Sequence, residues 1–369
     1  MTWNWQDKNW PKFIYDTAQL EHLELEYAHF LGRLVGTIKH LANDDKNKVI
    51  VNILSTEGAK TAEIEGEMLD RDSLQASIRK KLGLETGNQR IKPAEAGMAE
   101  VMTVVYMQYN TPLTHEELHH WNAELMQGRT DLESKGDYRK HEDPMQVVSR
   151  GLGMEKVHFE APPSKNVQRE MEQFIQWFND SLSSLPPLTR AGIAHLYSVC
   201  IHPYEDGNGR MARAITEKAL SQSGETPALS GLSRQIAAKK NAYYDALERN
   251  NKTLDITDWL FYFAKTTIEA QIHTLQSVER VLQKAALHKE FSGKLNDRQK
   301  KVIDKLYEAE PEGFKGGLSA KNYIVIAKAS RATTTRDLQE LVELGILEKS
   351  GTRRFTRYRL TALPEKGQE

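Results

Sequence analysis

Between His202 and Arg213 the chain reads HPYEDGNGRMAR, placing a histidine, two acids, two glycines, an asparagine and two arginines within twelve positions. A histidine titrates near neutral pH and can take a proton from a hydroxyl. Asp206 is a hard oxygen ligand of the kind Mg²⁺ takes together with phosphate oxygens. Gly207, Asn208 and Gly209 are turn residues that lead into a new helix, whose first N–H groups make an anion site. The glycines let that backbone approach a ligand with no Cβ in the way. Arg210 and Arg213, three apart, share one helical face and can reach the same polyanion. A base, a metal-binding carboxylate, an anion nest and two guanidiniums together describe phosphoryl or nucleotidyl transfer. A solvated turn beside a helix-capping histidine would account for any one of these residues, but not for all of them. An EF-hand is excluded, because acids are missing at alternate positions and no glutamate closes a twelve-residue loop.

The segment is similar to the Fic-family signature, His-Pro-Phe-x-Asp/Glu-Gly-Asn-Gly-Arg-x-x-Arg, and departs from it only in Tyr204, which keeps the aromatic ring and adds a hydroxyl. The resemblance extends over roughly residues 50–270. It implies transfer of AMP from ATP to a hydroxyl of a protein Tyr, Thr or Ser. His202 would be the base, and Asp206 would hold Mg²⁺ between the α- and β-phosphates. Gly207, Asn208 and Gly209 would form the anion nest, with Asn208 on the α-phosphate, while Arg210 and Arg213 hold the β- and γ-phosphates. Tyr244, Leu247 and Asn251 match the family's adenine-lining positions. A hairpin at 146–160 would be the flap that receives an extended segment of the target protein.

Upstream, KTAEIEGE carries Thr61, Glu65 and Gly66, which fit the family's inhibitory pattern Ser/Thr-x-x-x-Glu-Gly. The resemblance implies that Glu65 pairs with Arg213, in a bidentate contact, and denies that arginine to the γ-phosphate. Some members use this glutamate to activate water and remove AMP, so de-AMPylation stands as an alternative.

The elements that must position these residues are mostly helices. Apolar residues recur at helical spacing over about 13–41, 46–57, 62–82, 94–109, 114–127, 166–182, 188–201, 209–222, 234–249 and 255–288. His202 therefore sits at the exit of a helix that Pro203 forbids from continuing. Val147-Val148 and Val157-His158-Phe159 flank a glycine-containing turn and read as a β-hairpin. Three of the six tryptophans, Trp3, Trp5 and Trp10, lie in the first ten residues. They are expected to pack onto the body or to form a self-association patch, and family habit suggests a homodimer.

After about residue 290 the pattern is helix, helix, turn, helix and a two-stranded ribbon, with a helix start at Ser330–Thr335 and Gly345 as its stop. That order resembles a winged helix-turn-helix. Residues 291–369 carry a net charge of +5 against −6 for the rest. Arg331, Thr333, Thr334, Thr335 and Arg336 could face DNA bases, and Arg353, Arg354, Arg357 and Arg359 phosphates. A protein partner is the equal alternative for this tail, and the alternative to AMP transfer from another class is a DNA-binding regulator in which the helical body senses nucleotide. The rival motif HEELH, His115 to His119 with Glu116, spells a zinc-protease pattern, but Thr114 and Glu117 read as a capping box on an ordinary helix.

The expected fold is thus mainly α: residues 1–92 an N-terminal helical region with the inhibitory helix, 93–288 a Fic-type bundle with a hairpin flap, and 291–362 a winged helix. A hydrophobic content of 39% with 27% charged residues supports a sizeable core. One cysteine, Cys200, forbids an internal disulfide, and no apolar run or leader pattern stands out. A cytoplasmic protein is expected.

Overall fold

A computed structural model describes residues 2–85, 91–151, 154–308, 314 and 316–361. Among these, fourteen α-helices and two antiparallel two-stranded sheets fall into two compact units, Met1–Leu275 and Gln276–Glu369. No described helix is long and apolar enough to cross a membrane.

The first unit holds α1 (Ala18–Lys39), α2 (Asn43–Ile64), α3 (Arg71–Lys81), α4 (Pro93–Met107), α5 (His115–Leu125), β1 (Gln146–Gly151), β2 (Met154–Glu160), α6 (Ser164–Asp180), α7 (Pro187–Ile201), α8 (Asn208–Ser221), α9 (Leu232–Ala238) and α10 (Lys240–Asn250). Helix α11 (Thr257–Glu290) begins in this unit and ends in the second. The centre is α7, buried on nearly every side, as a helix without a polar face must be. It packs against α8, α6 and α1. Its Gly192 leaves no room for a Cβ, which would meet Leu260 at 2.7 Å, and its carbonyl accepts the Trp259 indole at 2.7 Å. His195, on the same helix, bridges Thr216 Oγ1 (2.8 Å) and Tyr243 Oη (2.9 Å). Burial first, and then Arg213, push its imidazole down to about 3, so it is a neutral strut.

Two expected helices are divided. The stretch 62–82 breaks after Ile64 and resumes at Arg71, where Asp70 caps α3 by accepting from Ser73 N at 2.7 Å. The cause of the break is Gly66 at φ +84°, the left-handed residue of a Schellman turn. In that turn Gly66 N donates to Glu63 O and Glu67 N to Ala62 O, each at 3.0 Å. The stretch 234–249 divides at Lys239 into α9 and α10.

The tryptophan-rich start packs onto the body. Trp3 is buried against Phe159 (ring centroids 5.3 Å), and Trp10 lies edge-on to Tyr197 (5.1 Å). In the hairpin β1 pairs with β2 from Gln146↔Glu160 to Gly151↔Met154, with a bulge where the register passes from Val147↔Phe159 to Val148↔Val157.

In the second unit α12 (Asp297–Glu308), α13 (Ala320–Ala327) and α14 (Arg331–Glu343) precede β3 (Leu347–Ser350) and β4 (Arg357–Leu360). Leu318 adds a bridge to Tyr358. Leu287, Val302, Ile303, Leu318, Tyr323, Leu341 and Ile346 are among its core residues. Buried Asp337 accepts from Tyr323 Oη (2.9 Å) and from Arg298 Nε and Nη2 (2.8 and 3.0 Å). Gly345, at φ +73°, ends α14 in a second Schellman turn.

Candidate active site

The site is built where α7 hands over to α8. His202, the residue that closes α7, is left-handed (φ 52°, ψ 58°), a conformation that costs a non-glycine residue about 1–2 kcal/mol. Three hydrogen bonds from Arg139 hold this exit, and a fourth ties the arginine to Pro162, just before α6. Its Nε donates to His202 O (2.8 Å), its Nη2 to Ile201 O (3.4 Å) and Pro162 O (2.5 Å), and its backbone N to Pro203 O (3.0 Å). His202 Nδ1 faces Val199 O at 3.2 Å. A carbonyl only accepts, so the proton belongs on Nδ1 and the lone pair on Nε2. Desolvation leads in pushing this imidazole down to about 4, and the Arg139 charge adds to it, while the Val199 contact, Glu65 and Asp206 oppose. At neutral pH it is a free base.

The loop that follows is held internally. Asn208 Oδ1 accepts from Tyr204 N (2.9 Å), and its Nδ2 donates to Tyr204 O (2.7 Å). The amide expected to face an α-phosphate is thus engaged by Tyr204 in this state. Tyr204 itself is buried and packs on Tyr138 and His119. Glu205 takes the backbone N–H groups of Glu133 and Ser134, both at 3.0 Å, and Asn122 donates to Asp206 O at 3.0 Å. Gly207, at φ +85°, starts α8, and a Cβ there would press on Met126 Cε at 2.8 Å. The first amides of α8, from Asn208 on, have no carbonyl within the helix to donate to.

Acids from the turn after α2 occupy both arginines. Arg213, buried, gives Nη2 to Glu65 Oε1 (2.6 Å), Nε to Thr61 Oγ1 (2.5 Å) and Nη2 to Thr61 O (3.0 Å). The expected two-point fork between Glu65 and Arg213 is therefore a single-oxygen contact through Nη2, with Thr61 on Nε and on the same Nη2. Burial works against the Arg213 charge but is outweighed chiefly by Glu65, which holds its pKa above the ordinary value. Arg213 Nη1 is buried without a hydrogen-bond partner. A Cβ on Gly209 would collide with the Glu65 carboxylate, so that carboxylate lies over the start of α8. Arg210, equally buried, gives Nη1 to Glu67 Oε2 at 2.6 Å, and its Nη2 lies 3.6 Å from Asp206 Oδ1. Gly66 contributes the turn that sends Glu65 and Glu67 to neighbouring arginines.

Asp206 is ion-paired as well: its Oδ2 is 2.5 Å from Arg129 Nη1, and Arg129 also grips Asp131 through Nε (2.8 Å) and Nη2 (2.7 Å). Tyr244 is partly exposed, its hydroxyl 3.4 Å from Ile64 O, whereas Tyr243 is core. Leu247 is half-buried on α10. Asn251, just past α10, donates to His158 O at 3.1 Å and keeps a buried Oδ1 unpartnered. His115 and His119 of the HEELH stretch have Nδ1 on Tyr138 Oη (2.7 Å) and Tyr204 Oη (3.4 Å), respectively. Among the described residues no group of three His, Cys, Asp or Glu could hold a metal ion. Glu67, Arg129 and Arg139 were not singled out by the sequence reading. Only Glu67 left a trace there, as a second acid across Gly66.

Residues 112–220 match the model of the Fic/DOC family. The chain carries a Fic domain. Residues 3–84, upstream of it, match a domain of unknown function, DUF4172. The stretch 61–67, whose acids reach the Fic domain's arginines, thus comes from that second family's segment. Among curated relatives, protein adenylyltransferase fic-1 of Caenorhabditis elegans is 30% identical over 117 residues, 31% of this chain and 20% of the relative. Protein adenylyltransferase Fic of Drosophila yakuba is 31% identical over 129 residues, 34% and 25% of the two chains. The chain thus spans a quarter or less of these relatives. A Fic family protein from Desulfovibrio desulfuricans G20 has the same fold across 97% of this chain and 99% of its own, with a TM-score of 0.54 at 20% identity. Fic-1 (residues 134–508) of C. elegans aligns over 73% of this chain and 75% of its own, with a TM-score of 0.51 at 21% identity.

Proposed function

We propose that the protein is an adenylyltransferase that moves AMP from ATP to a Tyr, Thr or Ser hydroxyl of a target protein, and that the segment 61–67 holds it inactive. The observation that carries the reading is the Glu65 carboxylate lying over Gly209 and on Arg213. An anion already occupies the place where a helix N-terminus and two arginines would receive phosphates.

In the released enzyme the amides of Gly207, Asn208 and Gly209 receive the α-phosphate, while Arg210 and Arg213 receive the β- and γ-phosphates. His202 Nε2 takes the proton of the target hydroxyl, whose oxygen attacks the α-phosphorus. The bond from that phosphorus to the bridging oxygen breaks, and pyrophosphate leaves. The residues work by positioning and by stabilising charge. Asp206, a partly exposed carboxylate at the mouth of the nest, fits Mg²⁺ as one ligand among nucleotide oxygens, once Arg129 lets go. The ion when bound offsets phosphate charge. Tyr244, Leu247 and Asn251 would take the adenine side, and the 146–160 hairpin the target.

Two further assignments belong to the same reading. Residues 1–92 form the inhibitory region, 93–288 the catalytic body and 291–362 a winged helix for DNA or a protein; the Leu318–Tyr358 bridge beside the β3–β4 ribbon supports the last. The position of Glu65 over the nest also favours a role in activating water for AMP removal.

The test is transfer of label from α-labelled ATP, with Mg²⁺, to the protein itself and to a lysate. Glu65→Gly should raise labelling at least tenfold, and adding His202→Ala should abolish it. Equal labelling by all three forms, or none from Glu65→Gly while ATP still binds, would overturn the reading.

A further inference from the structure

The geometry points to a function for the first residues of the unassigned N-terminal region: Asn4 and Trp5 are positioning residues that set the hairpin and the end of α10 for nucleotide and target. This rests on the reading of the 146–160 hairpin as a target flap.

The short turn Asn4–Gln6 makes three contacts on the site's rim. Asn4 N donates to Asn251 O at 2.9 Å, its Nδ2 lies 3.2 Å from Cys200 Sγ, and the Trp5 indole donates to Glu160 O at 2.6 Å. Asn4 is buried, and the turn is fixed by Gln6, whose side chain accepts from Trp3 N at 2.8 Å. Cys200 is two residues before the base, and Asn251 in turn donates to His158 O.

The strand register shows what this accomplishes. Ala161 N donates to Met145 O. Ladder bonds in an antiparallel pair fall on alternate residues, so the carbonyls of His158 and Glu160 face away from β1. Asn251 takes one and Trp5 the other, which covers the outer edge of β2 at its 158–160 end. The edge left for an extended segment of a target protein is that of β1, where Val148 is exposed. The bulge at His158 is held from outside by Asn251 and by Glu248 of α10, whose Oε2 lies 2.6 Å from His158 Nδ1, and through Asn251 the strap links this edge to the adenine side.

Trp10 gives the control. It lies in the same segment, but its indole donates to Glu170 on α6 at 2.9 Å, away from the hairpin. In the full chain Trp5→Phe removes one N–H and keeps the ring packed, and Trp5→Leu is a second variant. Hydrogen exchange of amides 154–160 should quicken tenfold or more in Trp5→Phe, with a thermal midpoint within a few degrees of wild type. Trp10→Phe should leave those amides unchanged. In the Glu65→Gly background Trp5→Phe should raise KM for the labelled acceptor at least threefold, with kcat within twofold. Unaltered exchange in Trp5→Phe, or equal loosening by Trp10→Phe, overturns the proposal. Absence of transfer in every form, with the exchange difference present, would instead sink the AMP-transfer reading and leave the strap's positioning role standing.

Discussion

Glu67 Oε2 lies 2.6 Å from Arg210 Nη1, two residues along from the glutamate that takes Arg213. The arginines of the site are thus restrained as a pair, by acids that leave one turn in two directions. Arg210 is almost fully buried while Glu67 is partly exposed, so the acid is the partner with somewhere to go.

Removing Glu65 alone therefore frees one arginine of the two. Glu67→Gln in the Glu65→Gly background should raise AMP transfer a further three- to tenfold, which at about 1.4 kcal/mol per decade is worth roughly 1 kcal/mol. Initial rates at subsaturating ATP read this directly. Identical rates in the single and double variants would assign Glu67 no part in the restraint.

The low pKa of His202 has a definite signature. Because the imidazole is neutral above about 4, the acid limb of the pH–rate profile for Glu65→Gly should fall below the 6.5 of an unperturbed histidine. Removing Glu65 takes away a charge that raises this pKa, so the limb moves further down, not up. Imidazole shifts followed by NMR across pH 4–8 would check it, and a midpoint near 6.5 would count against a desolvated base.

Arg129 competes for Asp206 with any cation that binds there. Arg129→Met should tighten Mn²⁺ binding to the nucleotide complex several-fold, measured as loss of the free-ion EPR signal. It should not weaken binding, as loss of a phosphate-holding arginine would.

Glu57 provides a test of stability. It is buried on α2 with Oε1 on Ser233 N (2.7 Å) and Oε2 unpartnered. Desolvation, then the Glu217 charge, raises its carboxyl to about 7. The folded state binds this proton more tightly than the unfolded chain, so the contribution is fully present below about 4.5 and is lost as pH rises through about 7. Glu57→Gln should remove that slope and stabilise the protein at pH 8 by on the order of 1–3 kcal/mol. Denaturant midpoints at pH 5.5 and 8 for both forms decide it.

Much of this was legible in the sequence where the information is local. The periodicity of 188–201, the proline after His202, Gly207 before α8 and the caps at Ser330 and Gly345 each act over a few residues, and their elements formed where expected. The break at 65–70 was also local, written in Gly66 and Asp70, but the helical pattern on either side masks it. Nothing near Lys239 marks the division of α9 from α10. Arg129 and Arg139 were illegible for another reason. Their partners lie 77 and 63 residues away, and a surface arginine and a buried one look alike until the chain is folded. The single-oxygen contact of Glu65 is likewise a relation between residues 148 apart, set by where the end of α2 comes to rest over α8.

Glu65 and Glu67 reach the arginines from the same polypeptide, ahead of the helices they restrain. Such a tethered ligand acts at an effective concentration set by geometry, commonly millimolar or above, and it does not fall when the protein is diluted. A nucleotide in free solution competes with it at a constant disadvantage, whatever the amount of enzyme. Under the proposed function, ATP displaces the acids only above its own Kd multiplied by a factor that the internal ligand fixes, and that threshold is the same at any enzyme concentration. The chain would answer to the nucleotide concentration against a fixed internal threshold rather than to the ratio of nucleotide to protein.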